Sequence, residues 1–106
     1  MITHISDMEF EEEVLEEEGL VVVDFSAEWC MPCKMLSHVL ESISKELQNI
    51  KIAKIDVDEN PLISRKYKIR SIPTIRLFKN GTLIGEFTGF IPKGRLGKII
   101  KANLWI

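Results

Sequence analysis

Apolar positions along the chain change period several times, and each change marks an element. Leu20-Val21-Val22-Val23 is an unbroken apolar run continued by Asp24 and Phe25, the pattern of a strand covered on both faces. From Met35 to Leu47 the spacing switches. Leu36, Val39, Leu40, Ile43 and Leu47 recur at helical intervals and predict one apolar helix face. Ile50 to Val57 and Thr74 to Phe78 read as further strands, and Asn80-Gly81 is a hairpin signal leading into a strand from Thr82 to Thr88. Before the first long strand, Met1 to Ile5 suits a short strand. Ser6 and Glu9 then have capping-box spacing, with Ile5 and Phe10 as a hydrophobic staple. They predict a helix through Leu15 that stops near Gly19. Asn60-Pro61 suits an N-cap and first helical position, opening a short helix toward Tyr67. Pro92 opens a last helix with Leu96, Ile99, Ile100 and Leu104 inward.

The resulting order is strand-helix-strand-helix-strand-helix-strand-strand-helix. Strands that alternate with helices pair in parallel, whereas the closing hairpin is antiparallel. The expected fold class is α/β: a central mixed five-stranded sheet flanked by four helices on both faces. With no repeat, linker or low-complexity tract, the 106 residues read as a single domain, 1-106. A chain of this length buries roughly two thirds of its unfolded surface, so it needs neither a disulfide nor a metal to fold.

Charge and composition narrow the function classes. A formal net charge of −2 does not suit a nucleic-acid partner held by phosphate contacts. No apolar stretch reaches membrane-spanning length, which argues against a membrane role. The N-terminus lacks a basic segment followed by an apolar core, and the two cysteines then fit a reducing compartment where a disulfide is transient. A cytoplasmic monomer is expected. The first predicted helix carries Glu9, Glu11, Glu12, Glu13, Glu16, Glu17 and Glu18. Such a run reads as a solvated face, although several of these charges crowd the helix end where the dipole disfavours them.

The candidate chemistry is in Trp29-Cys30-Met31-Pro32-Cys33-Lys34, where the two cysteines stand two residues apart between a strand and a helix. C-x-x-C spacing alone serves zinc, iron–sulfur and redox sites. A zinc site needs more ligands, yet there is no second cysteine pair, and His4 and His38 fall on separate elements. No metal is expected. A helix N-terminus favours a thiolate through its unpaired amides and dipole. Cys30, first and at the exposed helix start, is the expected nucleophile. Cys33, one turn inward, is the more shielded resolving thiol. Pro32 stiffens the turn and also fits simple helix initiation.

Asp24 interrupts a run that should be covered on both faces, so desolvation should raise its pKa and make it a candidate general base. The alternative is an edge carboxylate in water. Lys54, in the adjacent strand, can reach Asp24 as an ionic partner; taken alone it reads as solvent-facing. Pro73 reads as a strand-entry residue, and a cis peptide bond at Ile72-Pro73 is a minority form. Gly89 marks either close backbone approach or a turn.

Together these residues resemble the thioredoxin family over essentially the whole chain. The resemblance runs from Val23-Asp24-Phe25 through Trp29-Cys30, Pro32-Cys33-Lys34-Met35, Ala53-Lys54-Ile55-Asp56-Val57-Asp58, Ile72-Pro73-Thr74 and Leu77-Phe78-Lys79-Asn80-Gly81. It implies a thioredoxin fold and a general protein-disulfide reductase, with Cys30 and Cys33 as the redox pair and Asp24 with Lys54 as a buried proton-transfer pair. It makes Pro73 a cis proline, with Trp29, Met31, Pro32, Ile72, Pro73 and Gly89 lining the substrate groove. It implies disulfide-containing target proteins, recharging by a flavin-containing thioredoxin reductase, and no cofactor beyond the reversible Cys30-Cys33 disulfide. Three positions depart from the family pattern: Met31 stands for a glycine, Ser26 for a tryptophan beneath the site, and His38 for a kinking proline. Two other functions remain open at this stage. One is a thiol-disulfide oxidase or isomerase whose potential Met31 has altered; the other is a non-catalytic binding module using the acidic first helix and the Leu104-Trp105-Ile106 tail.

Overall fold

The computed structural model describes residues 1–104. Its strands are β1 (Ile2–His4), β2 (Leu20–Ser26), β3 (Ile50–Asp56), β4 (Thr74–Lys79) and β5 (Thr82–Thr88), and its α-helices are α1 (Met31–Glu46), α2 (Pro61–Lys66) and α3 (Lys93–Ala102). They form one mixed sheet in the order β1-β3-β2-β4-β5. β1, β3 and β2 are parallel, and β4 and β5 are antiparallel additions.

β2 lies at the centre, and every one of its residues is buried. The period of two then sorts its side chains. Leu20 and Val22, with Ile52, Ile75 and Leu77 from its neighbours, pack under Leu36, Leu40 and Ile43 of α1 and Leu96 and Ile100 of α3. Val21, Val23 and Phe25 point the other way, into a core with Phe10, Val14, Ile63 and Phe78. Asp24 and Ser26 continue the α1 face toward the end of the strand. The apolar layer therefore gives way to polar residues at the end of β2 that leads into α1.

The predicted first helix takes a different form, a 3₁₀ turn at Asp7–Glu9 followed by a π-helical turn at Glu11–Leu15. Its entry follows the expected signals. The Ser6 N–H and hydroxyl both donate to Glu9 Oε1, at 2.9 and 3.0 Å, and Ile5 and Phe10 are buried in one cluster. Beyond that point a glutamate-rich segment has little intrinsic helical stability, because like charges one turn apart repel. Tertiary contacts set its path instead: Phe10 and Val14 are buried, and Glu13 and Glu17 accept from Lys51 Nζ at 2.9 and 3.0 Å. The Glu16 N–H reaches back five residues to the Glu11 carbonyl. The acidic run is thus partly a clamp on β3.

The short helix α2 is also capped differently. Asn60 does not cap it through its side chain. Asp7 does, accepting from the N–H groups of Leu62 and Ile63 at 3.3 and 2.9 Å. Asn60 Oδ1 accepts from the Asp7 N–H at 2.8 Å, and its amide donates to the Asp56 carbonyl. The hairpin is as expected, with positive φ at both Asn80 and Gly81. A side chain at Gly81 would also run into the Leu15 carbonyl. Of the apolar tail, Leu104 packs against the α1/α3 core, while Trp105 and Ile106 lie outside the described residues.

Candidate active site

The helix α1 begins at Met31, earlier than its apolar spacing suggests, with Cys30 as N-cap and Pro32 in the first turn. It runs unbroken through His38. Cys30 and Cys33 are joined in a disulfide with their Cα atoms 5.2 Å apart. The Cys33 N–H points at Cys30 Sγ, at 3.3 Å. That places a backbone donor on the sulfur whose thiolate the helix end favours. The expectation of an exposed Cys30 needs correction. In the disulfide state Cys30 is 5% exposed and Cys33 1%, because Ala27, Val57 and Ile72 pack around the pair.

Ile72-Pro73 is cis. The Ile72 carbonyl lies 4.0 Å from Cys30 Sγ, and the Pro73 carbonyl accepts from the Gly89 N–H at 2.8 Å. Gly89 has a φ of +92°, a conformation that glycine adopts without strain. Cys30, Ile72, Pro73 and Gly89 therefore form one continuous edge. Trp29 and Met31 are 72% and 64% exposed beside it, and Pro32 is exposed at the helix start. The Trp29 indole N–H donates to Asp58 Oδ2 at 2.8 Å, a partner the sequence reading did not name.

Asp24 is fully buried, and neither carboxylate oxygen has a hydrogen-bond partner among the described residues. Loss of hydration pushes its pKa up to about 7, with the Lys54 charge opposing the rise. Lys54 is the register partner of Asp24 across the parallel β2–β3 pair, and Ile75 is its partner on β4. The expected ionic contact takes another form: the Lys54 ammonium donates to Ser37 Oγ on α1. Ser37 was missed by sequence reasoning, although its place one turn after Cys33 put it on the same helix face. Ser26, where a tryptophan was expected from the resemblance, is buried. It lines a cavity of about 480 Å³ with His4, Lys34, Lys54, Asp56 and Glu59.

A family model described as thioredoxin matches residues 1–102. The chain belongs to the thioredoxin family. It is 48% identical to a thioredoxin from Rickettsia bellii, across 98% of this chain and all of the relative. It is 54% identical to a thioredoxin from Rickettsia typhi, over 76% of this chain and 78% of that one. A mutant thioredoxin from Halobacterium salinarum has the same fold, with a TM-score of 0.90 at 30% identity, covering 99% of this chain and 92% of the other. The sheet and helices described above are thus the thioredoxin fold, and thioredoxin disulfide reduction is the activity of the Cys30-Cys33 pair.

Proposed function

We propose that the protein reduces disulfides in other proteins by a two-thiol exchange in which Asp24 handles the proton. The Cys30 thiolate attacks one sulfur of a target disulfide, forms a mixed disulfide, and expels the other target sulfur as a thiolate. Cys33 gives its proton to the Asp24 carboxylate, and its thiolate attacks Cys30 Sγ. The second target thiolate leaves, and the Cys30-Cys33 disulfide forms. Two electrons pass from the dithiol to the target. Lys54 moderates the Asp24 charge. Trp29, Met31, Pro32, Ile72, Pro73 and Gly89 present an apolar edge to the target segment around its disulfide.

What supports this reading is a buried carboxylate without a hydrogen-bond partner among the described residues, on the strand that leads into the helix capped by the dithiol pair. No bound cofactor is required, since the cysteines are themselves the redox couple. A flavin-containing thioredoxin reductase in the cytoplasm returns the electrons, and the protein acts as a monomeric electron donor. Among the described residues no helix is long and apolar enough to cross a membrane.

Insulin reduction by dithiothreitol, followed by turbidity, tests the reading. The protein is expected to accelerate it, Cys30→Ser and Cys33→Ser to abolish the acceleration, and Asp24→Asn to slow it about tenfold at neutral pH. A wild-type rate equal to dithiothreitol alone would refute the reductase. Acceleration that Asp24→Asn leaves unchanged at every pH would refute the proton role.

A further inference from the structure

Lys54 has three places to put its ammonium, and they differ in what they do to Asp24. It can pair directly with the carboxylate, which is its register neighbour on the same face of the sheet. It can swing outward into the cavity, where Asp56, Glu28 and Glu59 supply competing carboxylates and His4 and Lys34 supply cations. Lys54 itself lines that cavity, yet its ammonium donates to Ser37 Oγ, while neither Asp24 oxygen has a hydrogen-bond partner among the described residues. A lysine ammonium on a flexible four-carbon stem does not select one of three such positions by itself. A hydroxyl on α1, one turn beyond Cys33, does select one, because the helix holds it still. The strength of a charge–charge interaction falls with separation and rises where water is excluded, so the chosen position sets how strongly Lys54 acts on the carboxylate.

We propose that Ser37 is a positioning residue for disulfide exchange: its hydroxyl holds the Lys54 ammonium against α1, beside its register partner Asp24, in competition with the cavity carboxylates. The inference rests on the proton-handling role proposed for Asp24 and Lys54 and adds the group that orients them. In this role Ser37 acts through Lys54, its hydrogen-bond partner. The groups beside Asp24 on the neighbouring strands are Lys54 on β3 and the apolar Ile75 on β4. Among the described residues Lys54 is the charge that acts on the carboxylate, and it is the cation Ser37 would steer. Without the hydroxyl, the ammonium relaxes toward Asp56 and Glu59, and Asp24 keeps its proton to higher pH.

The test is a carbon-13 NMR titration of the Asp24 carboxyl in the oxidised protein. Ser37→Ala is expected to raise its midpoint by about half a pH unit, and Ser37→Thr, which keeps the hydroxyl, to restore it. Lys54→Gln is expected to raise it as well, and in that background Ser37→Ala is expected to add nothing. A midpoint that Ser37→Ala leaves unchanged or lowers, or a shift that persists without Lys54, would overturn the role of Ser37 alone. A midpoint indifferent to Lys54→Gln would overturn the coupling of Lys54 to Asp24, and the role of Ser37 with it.

Discussion

Asp24 combines two properties that are costly together, full burial and no hydrogen-bond partner among the described residues. Its folded pKa, about 7 against 3.8 for the free side chain, makes the cost depend on pH. An acid with a raised folded pKa holds its proton more tightly in the native state than in the unfolded one. Stability therefore falls as pH rises from about 4, and the loss is complete above about 7. The full difference is on the order of 4 kcal/mol at 1.36 kcal/mol per pH unit. Asn has the shape of the protonated carboxyl and never ionises. Asp24→Asn is thus expected to stabilise the oxidised protein by about 2–4 kcal/mol at pH 8 and by almost nothing at pH 4. Urea unfolding at the two pH values checks this; an equal gain at both would show that charge is not the source. In the proposed exchange the same substitution removes the proton acceptor, so stability and turnover should move in opposite directions. A residue that destabilises its own fold fits the proton role proposed for it better than a structural one.

Among the elements, α2 depends most on a residue far from it in sequence. Its first amides are satisfied by Asp7, from the turn that follows β1, and Asp7 is in turn held by Asn60. A six-residue helix has little stability of its own, so its cap matters more than it would in α1. Asp7→Ala is expected to cost about 1–2 kcal/mol and to speed amide exchange of Leu62 and Ile63 ahead of the β2 and β3 amides. Asn60→Ala removes a different contact, acceptance from the Asp7 backbone N–H, which Asp7→Ala leaves intact, and it should spare the amides of Leu62 and Ile63 more than Asp7→Ala does. Exchange in α2 unchanged by Asp7→Ala would show that the carboxylate does not hold the helix.

For the whole molecule, the two apolar layers lie on opposite faces of the sheet, and neither includes the cysteines. The disulfide closes a loop of only a few residues, so it removes little entropy from the unfolded chain. Breaking it should cost no more than about 2 kcal/mol, and the reduced protein should keep its far-ultraviolet circular dichroism and unfold in one transition at somewhat lower denaturant. Loss of structure on reduction would contradict this. A reductase needs that independence, because the pair must cycle while the groove around it keeps its shape.

Much of this was legible in residue order, for a local reason. A strand or helix repeats every two or 3.6 residues, so Leu20 to Phe25, the Leu36 to Leu47 spacing and Asn80-Gly81 each reported an element, and their succession predicted the sheet. C-x-x-C before a helix and a carboxylate in a buried run likewise announced the dithiol and the direction of the Asp24 pKa. What residue order could not contain was the choice among partners. Lys54 was within reach of an acid, yet packing gave it Ser37. Asn60 was a good cap, yet Asp7 took the position. A capped, glutamate-rich segment was drawn into 3₁₀ and π turns by Phe10, Val14 and Lys51. Cys30, first on its helix, was covered by Ala27, Val57 and Ile72. Each of these depends on groups brought together from distant parts of the chain, where several contacts of similar strength compete and only the folded geometry decides between them.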